Sequence, residues 1–214
     1  MRYERKYPIT GSSTEAVESF LKMHPLSFSE IFPDRRVNSL YFDTPDWDLL
    51  EESLSGDAER MKIRIRWYGN FHTVKKPILE IKIRRFDTGD KLLYKIPVGE
   101  ISPAELALQG PKWVRDLFAP DLEIRPAVFV SYTRSYFGNA DNRFRVTIDR
   151  ELAYRDPQPI DFENLDPVTD ESLIAEIKYD LIDDETLVEF TEHFPFKIGK
   201  SSKFVKGMLL TVAN

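Results

Sequence analysis

Charge and hydrophobicity alternate along four stretches of the chain, and that period of two constrains the fold more than any other feature. Residues 61–68 read Met61-Lys62-Ile63-Arg64-Ile65-Arg66-Trp67-Tyr68. Residues 78–84 place Glu80, Lys82 and Arg84 between Leu79, Ile81 and Ile83. Residues 144–149 set Arg145, Thr147 and Asp149 against Phe144, Val146 and Ile148. Residues 174–180 set Glu176, Lys178 and Asp180 against Ala175, Ile177 and Tyr179. Side chains at i and i+2 of a strand share one face, so each stretch is a strand with an apolar side and a charged side. Further strands are expected over 2–8, 37–43, 92–98 and 127–137.

Helix signals are fewer. Ser12-Ser13-Thr14-Glu15 has the form of a capping box ahead of an apolar face made by Val17, Phe20 and Leu21. Ser102-Pro103-Ala104-Glu105 repeats it, with proline at the first helical position. Trp113, Val114 and Leu117 predict a separate short helix before Pro120. Trp47, Leu50 and Leu54 predict another after Pro45, and residues 203–212 a last one. Asp156 to Asp170 holds Pro157, Pro159 and Pro167 and reads as a long loop. Long strands with a few peripheral helices predict an α+β fold with a barrel-like antiparallel sheet.

Composition narrows the function. The 214 residues fit a single domain spanning 1–214. With no cysteine, a disulfide scaffold, a thiol nucleophile and thiolate metal sites are excluded. His24, His72 and His193 lack the spacing of a zinc motif and are expected on the surface or in loops. Gly199-Lys200-Ser201 lacks the upstream glycines and the preceding strand of a P-loop. Asp43, ahead of Thr44-Pro45, is expected to initiate a turn or cap a helix. Asp183-Asp184-Glu185 reads as a solvated helix start. No apolar run approaches the ~20 residues of a membrane span, and no apolar leader core follows Met1-Arg2-Tyr3-Glu4, so a soluble, cytoplasmic chain is expected. The formal net charge of -6 argues against nucleic acid as the partner.

The charges themselves are not evenly spread. Glu-x-Lys occurs on three expected strands, as Glu4/Lys6, Glu80/Lys82 and Glu176/Lys178. Lys62, Arg64, Arg66, Arg84, Arg134 and Arg145 also fall on alternating positions. A strand with one solvated face shows the same alternation, and mixed-sign pairs suit it. Four such strands, all rich in Arg and Lys, ask for more. Two cations ~4 Å apart repel by about 4 kcal/mol at an effective dielectric of 20. A polyvalent anion converts that repulsion into attraction, and arginine forks match phosphate oxygens. Interleaved carboxylates suit a hard divalent cation bridging phosphates. The pattern points to a polyphosphorylated ligand with Mg or Mn.

At this level the sequence resembles a known family. Tyr41-Phe42-Asp43-Thr44-Pro45-Asp46, then Lys62-Ile63-Arg64-Ile65-Arg66, is similar to the triphosphate tunnel metalloenzyme (CYTH-like) superfamily. Glu80-x-Lys82, Arg145 to Asp149 and Glu176-x-Lys178 continue it in order. Within the superfamily, Arg2-Tyr3-Glu4-Arg5-Lys6-Tyr7, Tyr132-x-Arg134 and Ser201-Ser202-Lys203-Phe204 resemble the VTC domain, the catalytic domain of the vacuolar transporter chaperone polyphosphate polymerase. The likeness runs from residue 2 to about residue 207.

The resemblance implies an eight-stranded antiparallel β-barrel tunnel with inward basic side chains and peripheral helices. It implies metal-dependent transfer of the ATP γ-phosphoryl group to polyphosphate, typically with manganese. Arg64, Arg66, Lys82, Arg134, Arg145 and Lys178 are then the catalytic candidates. Lys6, Lys62, Arg84, Tyr132 and Lys203 are candidates for phosphate binding. Glu176, followed by Glu4 and Glu80, is the candidate metal ligand. Tyr132 is equally readable as a packing aromatic. Two other functions stay open on the same residues: a tripolyphosphate or nucleoside triphosphate phosphohydrolase, and a non-catalytic polyphosphate or nucleotide sensor. A separate membrane protein is an expected partner if the product is moved across a membrane; oligomeric state is left open.

Overall fold

The computed structural model describes residues 2–86, 88–141, 143–158, 164, 166–180 and 184–211. Asp183 of the expected acidic helix start, and Pro159 within the expected loop, lie outside them. The strands are β1 (Arg2–Ile9), β2 (Phe28–Asp43), β3 (Glu59–Tyr68), β4 (Ile78–Arg85), β5 (Thr88–Lys95), β6 (Arg125–Asn139), β7 (Arg145–Arg155), β8 (Val168–Asp170) and β9 (Leu173–Asp180). The helices are α1 (Thr14–Lys22), α2 (Asp48–Ser55), α3 (Pro103–Leu117), α4 (Asp184–Glu192) and α5 (Lys203–Thr211). Among the described residues the strands form a nine-stranded sheet in the order β1-β9-β7-β6-β2-β3-β4-β5, with β8 paired to β7 off this path. The registers of β1 with β9, β7 with β9, β2 with β3, β3 with β4 and β4 with β5 are all antiparallel. The order begins at β1 and ends at β5.

The chain divides into two compact units. The first comprises Met1–Arg35, Tyr132–Leu152 and Asp170–Ser201; the second comprises Arg36–Ser131, Ala153–Thr169 and Ser202–Asn214. Each has its own core. In the first, Tyr7 and Ile9 of β1, Val146 and Ile148 of β7, and Ala175 and Ile177 of β9 bury their side chains with Val17 and Leu21 of α1 and Phe190 of α4. These strand residues are the apolar half of the alternation, so burial of one face is what fixes the register. Ser13 caps α1, accepting from the Ala16 N–H at 3.2 Å, one residue later than the capping-box pattern suggests. Phe20, expected on the buried face, is 38% exposed. His24, expected at the surface, is buried instead. Its Nδ1 accepts from the Leu26 N–H at 3.1 Å, its Nε2 lies 3.1 Å from the Phe190 carbonyl, and its ring stacks on Phe190. His72 and His193 are exposed, as expected.

In the second unit, Ile63, Ile65 and Trp67 of β3 and Leu79 and Ile81 of β4 pack with Phe42, Leu49, Leu106 and Val114. The two helices expected before Pro120 are one. Ser102 and Glu105 close a reciprocal capping box at its start, and Pro111 sits inside it. An interior proline costs a helix about 3 kcal/mol, but Leu106, Gly110 and Val114 are all buried at a spacing of four, and that stripe holds the helix together. Gly110 is required there: a β-carbon would fall 2.5 Å from the Phe42 ring. In α2 the buried residue is Leu49, while Leu54 is 53% exposed; Trp47 takes a left-handed conformation (φ 66°) and the helix starts at Asp48. Residues 156–170, expected to be loop throughout, include the short strand β8.

Trp47 supplies no side-chain cap to α2; Asp43 does so from the end of β2. Its Oδ1 accepts from the N–H groups of Thr44 (2.8 Å) and Leu49 (2.9 Å), and its Oδ2 from Leu50 (3.1 Å). Arg125 secures the turn, donating to the Pro45 carbonyl at 2.8 Å with its guanidinium 3.9 Å over the Trp47 ring. Burial pushes the Asp43 carboxyl up to about 6, against the pull of its three N–H donors. A folded-state value above the unfolded one means that this contribution is full below about pH 4 and is lost as pH rises through about 6. Wild-type stability, from urea denaturation across that range, should therefore carry a downward slope that Asp43→Asn lacks. Asp43→Ala should cost about 1–2 kcal/mol through loss of the cap.

Candidate functional site

Among the described residues each unit carries a charged cluster on the strand faces opposite its core. In the second unit the cluster is built on β3, β4 and β5. Arg64 pairs in register with Glu80 of β4 and with Tyr41 of β2. Its NH2 reaches Glu80 Oε1 at 3.0 Å and its NH1 donates to the Tyr41 hydroxyl at 3.1 Å. Arg66 NH1 is 3.3 Å from Glu80 Oε2, and Lys91 Nζ is 2.5 Å from Oε1. Glu80 thus has three cations on one buried carboxylate. Burial alone would raise its pKa, but Arg64 and Arg66, with the Lys91 hydrogen bond, hold it at about 2. Beside it, Lys62, Lys82 and Lys91 form a cross-strand row, followed by Arg60 opposite Arg84. Lys62 Nζ donates to Ser202 Oγ at 2.8 Å, immediately before Lys203 opens α5.

In the first unit, β1 and β9 set Glu4 opposite Lys178 and Lys6 opposite Glu176. The four side chains interlock: Lys178 Nζ lies 2.7 Å from Glu176 and 3.8 Å from Glu4, and Lys6 Nζ lies 3.3 Å from Glu4 and 4.0 Å from Glu176. Lys6 also donates to the Ser201 carbonyl at 3.2 Å. Next to Lys178 in register is Arg145 of β7, which is exposed. Arg134 of β6 is held by Asp149, whose oxygens accept from Nε at 2.5 Å and NH2 at 2.7 Å. The Tyr132 ring lies 5.2 Å from the Arg134 guanidinium carbon, and Tyr132 is buried. Burial would raise the Glu176 carboxyl, yet Lys178, Lys6 and Arg134 bring it well below the ordinary range.

The candidates named from sequence therefore fall into two sets. Lys62, Arg64, Arg66, Glu80, Lys82, Arg84 and Lys203 belong to the second unit; Glu4, Lys6, Tyr132, Arg134, Arg145, Glu176 and Lys178 belong to the first. Of the three candidate metal ligands, Glu4 and Glu176 are brought together by shared lysines, and Glu80 stands among cations. Among the described residues no group of three or more His, Asp or Glu side chains is placed to hold a metal ion by itself. Glu4 and Glu176 still fit a hard divalent cation, which takes oxygen donors and is commonly held by one or two carboxylates with substrate phosphates. Four participants were not among the candidate site residues: Lys91, which the sequence reading did not single out, and Tyr41, Asp149 and Ser202, which stood there only as parts of motifs. Asp149 was visible as the charged-face residue two past Thr147; Lys91 had no local sign that it would reach a carboxylate on the next strand.

A family model described as the VTC domain matches residues 1–212. The chain belongs to the VTC domain family. The solved structures similar to this VTC domain have the CYTH-like fold of triphosphate tunnel proteins. One is a putative adenylate cyclase from Vibrio parahaemolyticus, 13% identical, with a TM-score of 0.55 and 98% of each chain covered. Another is a putative adenylyl cyclase from Hippeastrum, described as having a dominant triphosphatase activity. It is 16% identical, with a TM-score of 0.57, covering 99% of this chain and 97% of that one. At such identities the likeness concerns the fold. No curated protein matches the chain.

The Arg134–Asp149 pair is the most enclosed ion pair of the first cluster, with side chains 17% and 0% exposed. Removing either partner breaks a buried ion pair, which costs about 3–5 kcal/mol. Arg134→Ala and Asp149→Ala should each lose stability on that scale in urea denaturation. Replacing both by apolar residues, Arg134→Met with Asp149→Leu, should recover most of it.

Proposed function

We propose that this VTC domain is a metal-dependent phosphotransferase that moves the γ-phosphoryl group of ATP onto a polyphosphate chain. The match of the VTC model to residues 1–212 carries this reading. The two clusters support it, because phosphoryl transfer needs positioning and charge stabilisation more than covalent chemistry from the protein. In this reading the catalytic candidates are Arg64, Arg66 and Lys82 in the second unit and Arg134, Arg145 and Lys178 in the first, with Lys62, Arg84 and Lys203 of the second unit and Lys6 and Tyr132 of the first as phosphate-binding candidates. Glu176 with Glu4 would hold Mn or Mg, which supplies Lewis-acid neutralisation of phosphate charge. The acceptor is already anionic, so no strong general base is required. The eight-stranded tunnel, a single domain over 1–214 and a cytoplasmic setting belong to the same proposal. Among the described residues no helix is long and apolar enough to cross a membrane.

The triphosphatase activity described for the Hippeastrum neighbour favours a second reading, hydrolysis of tripolyphosphate or a nucleoside triphosphate. Incubation with ATP and Mn, with products resolved by length on a gel, separates the two. Long chains are expected; free phosphate alone supports the hydrolase, and binding without turnover supports a sensor. Glu176→Gln should abolish metal-dependent turnover while the far-ultraviolet circular dichroism stays unchanged. Tripolyphosphate at 100 times its Kd should stabilise the protein by about 2.7 kcal/mol, a rise of several degrees at ~2–4 °C per kcal/mol for a chain of this size.

A further inference from the structure

Glu80 is the carboxylate whose surroundings least resemble those of a metal ligand. Both of its oxygens face cations: Arg64 NH2 at 3.0 Å and Lys91 Nζ at 2.5 Å on Oε1, and Arg66 NH1 at 3.3 Å on Oε2. The Glu80 side chain is 6% exposed, against 19%, 17% and 47% for Arg64, Arg66 and Lys91. A divalent cation on these oxygens would stand beside three positive groups, two of them guanidiniums that cannot shed their charge. The ion pairs of Glu4 and Glu176, by contrast, run to the same two ammonium groups, Lys6 and Lys178, and Arg134, which adds its positive field at Glu176, is itself paired with Asp149.

The register explains how one residue gathers these three. Glu80 lies on the middle strand of β3-β4-β5, directly opposite Arg64 and opposite Leu93. Arg66 is opposite Ile78 and Lys91 opposite Lys82, so both reach Glu80 along the diagonal from positions two residues away. Leu93 supplies no competing charge. Without the carboxylate, two guanidiniums and an ammonium would share this part of the face with only repulsion between them.

We infer that Glu80 is a positioning residue of the phosphate-binding face: it draws Arg64, Arg66 and Lys91 to one point and fixes the placement of their cationic groups for a polyphosphate anion. This rests on the phosphotransfer reading above and gives Glu80 a different role from Glu176 and Glu4. Glu80 acts through the cations and touches neither the metal nor the reacting atoms.

Two measurements on the full chain test this, neither of them dependent on turnover. The first is tripolyphosphate binding by calorimetry in EDTA, for wild type, Glu80→Gln and Glu80→Asp. Charge counting alone predicts that Glu80→Gln, with one negative charge fewer, binds the anion more tightly. A positioning role predicts the opposite sign: Glu80→Gln should bind at least 5-fold more weakly. Glu80→Asp, which keeps the charge on an arm too short to hold all three cations in place, should bind more weakly than wild type and more tightly than Glu80→Gln. The second is the rise in Tm produced by Mn alone, which should persist in both Glu80 variants and vanish in Glu176→Gln.

Equal or tighter tripolyphosphate binding by Glu80→Gln overturns the inference, as does loss of the Mn-induced rise in either Glu80 variant. If Glu80→Gln does not fold, Glu80→Asp decides: weaker tripolyphosphate binding with an unchanged Mn response supports the role, and wild-type binding overturns it. A wild-type protein with no affinity for tripolyphosphate sinks the phosphotransfer reading and the positioning role together. Wild-type binding with an unweakened Glu80→Gln sinks the positioning role alone.

Discussion

Cross-strand pairing of carboxylates with surrounding cations is the interaction on which the functional faces depend. Each unit gathers basic side chains on one side of its strands and sets acids among them, with Glu80, Glu176 and Asp149 buried. In the second unit the acid is Glu80, bound by two arginines and a lysine. In the first, Glu176 and Glu4 alternate with Lys178 and Lys6, and Asp149 locks Arg134. Because the strands are antiparallel, the Glu-x-Lys spacing of β1 meets the same spacing of β9 with signs reversed. Identical dipeptide patterns thus become complementary, without any change in either sequence, when the strands run in opposite directions.

The same strands carry core and charge on opposite sides. Ile63, Ile65 and Trp67 fill the second core while Lys62, Arg64 and Arg66 stand on the charged side of β3. Ala175 and Ile177 do likewise for Glu176 and Lys178 of β9. A slip of one residue would bury the cations and expose the core, so the apolar side enforces the position of every charged group. This coupling accounts for precise positioning of long, flexible Lys and Arg side chains: their Cα positions are set by packing and their head groups by shared carboxylates.

Much of the fold was legible because periodicity is local. The charged and apolar faces of β3, β4, β7 and β9 were readable residue by residue, and Asp43 before Thr44-Pro45 was readable as a cap. The departures came where distant contacts override local signals. Gly110-Pro111 looks like a helix break, but the buried stripe of Leu106, Gly110 and Val114 carries α3 through it. His24 has an unremarkable local sequence, and only the return of α4 brings Phe190 over its ring. The net charge of -6 suggested little affinity for anions, whereas the distribution of charge by strand face gave the opposite indication.

The sequence by itself determined which side chains share a face, since the two-residue period follows from backbone geometry within one strand. It also determined the family, through motifs kept in order along nearly the whole chain. Only the tertiary structure decided which carboxylate serves which cation. Glu4, Glu80 and Glu176 are equivalent when read as Glu-x-Lys, and they part company once their neighbours are present. Glu80 meets Arg64, Arg66 and Lys91 from the adjoining strands, while Glu4 and Glu176 meet two lysines. The physical reason is that an ion pair across a sheet depends on register with another strand, and a residue's own sequence neighbours do not encode its partner.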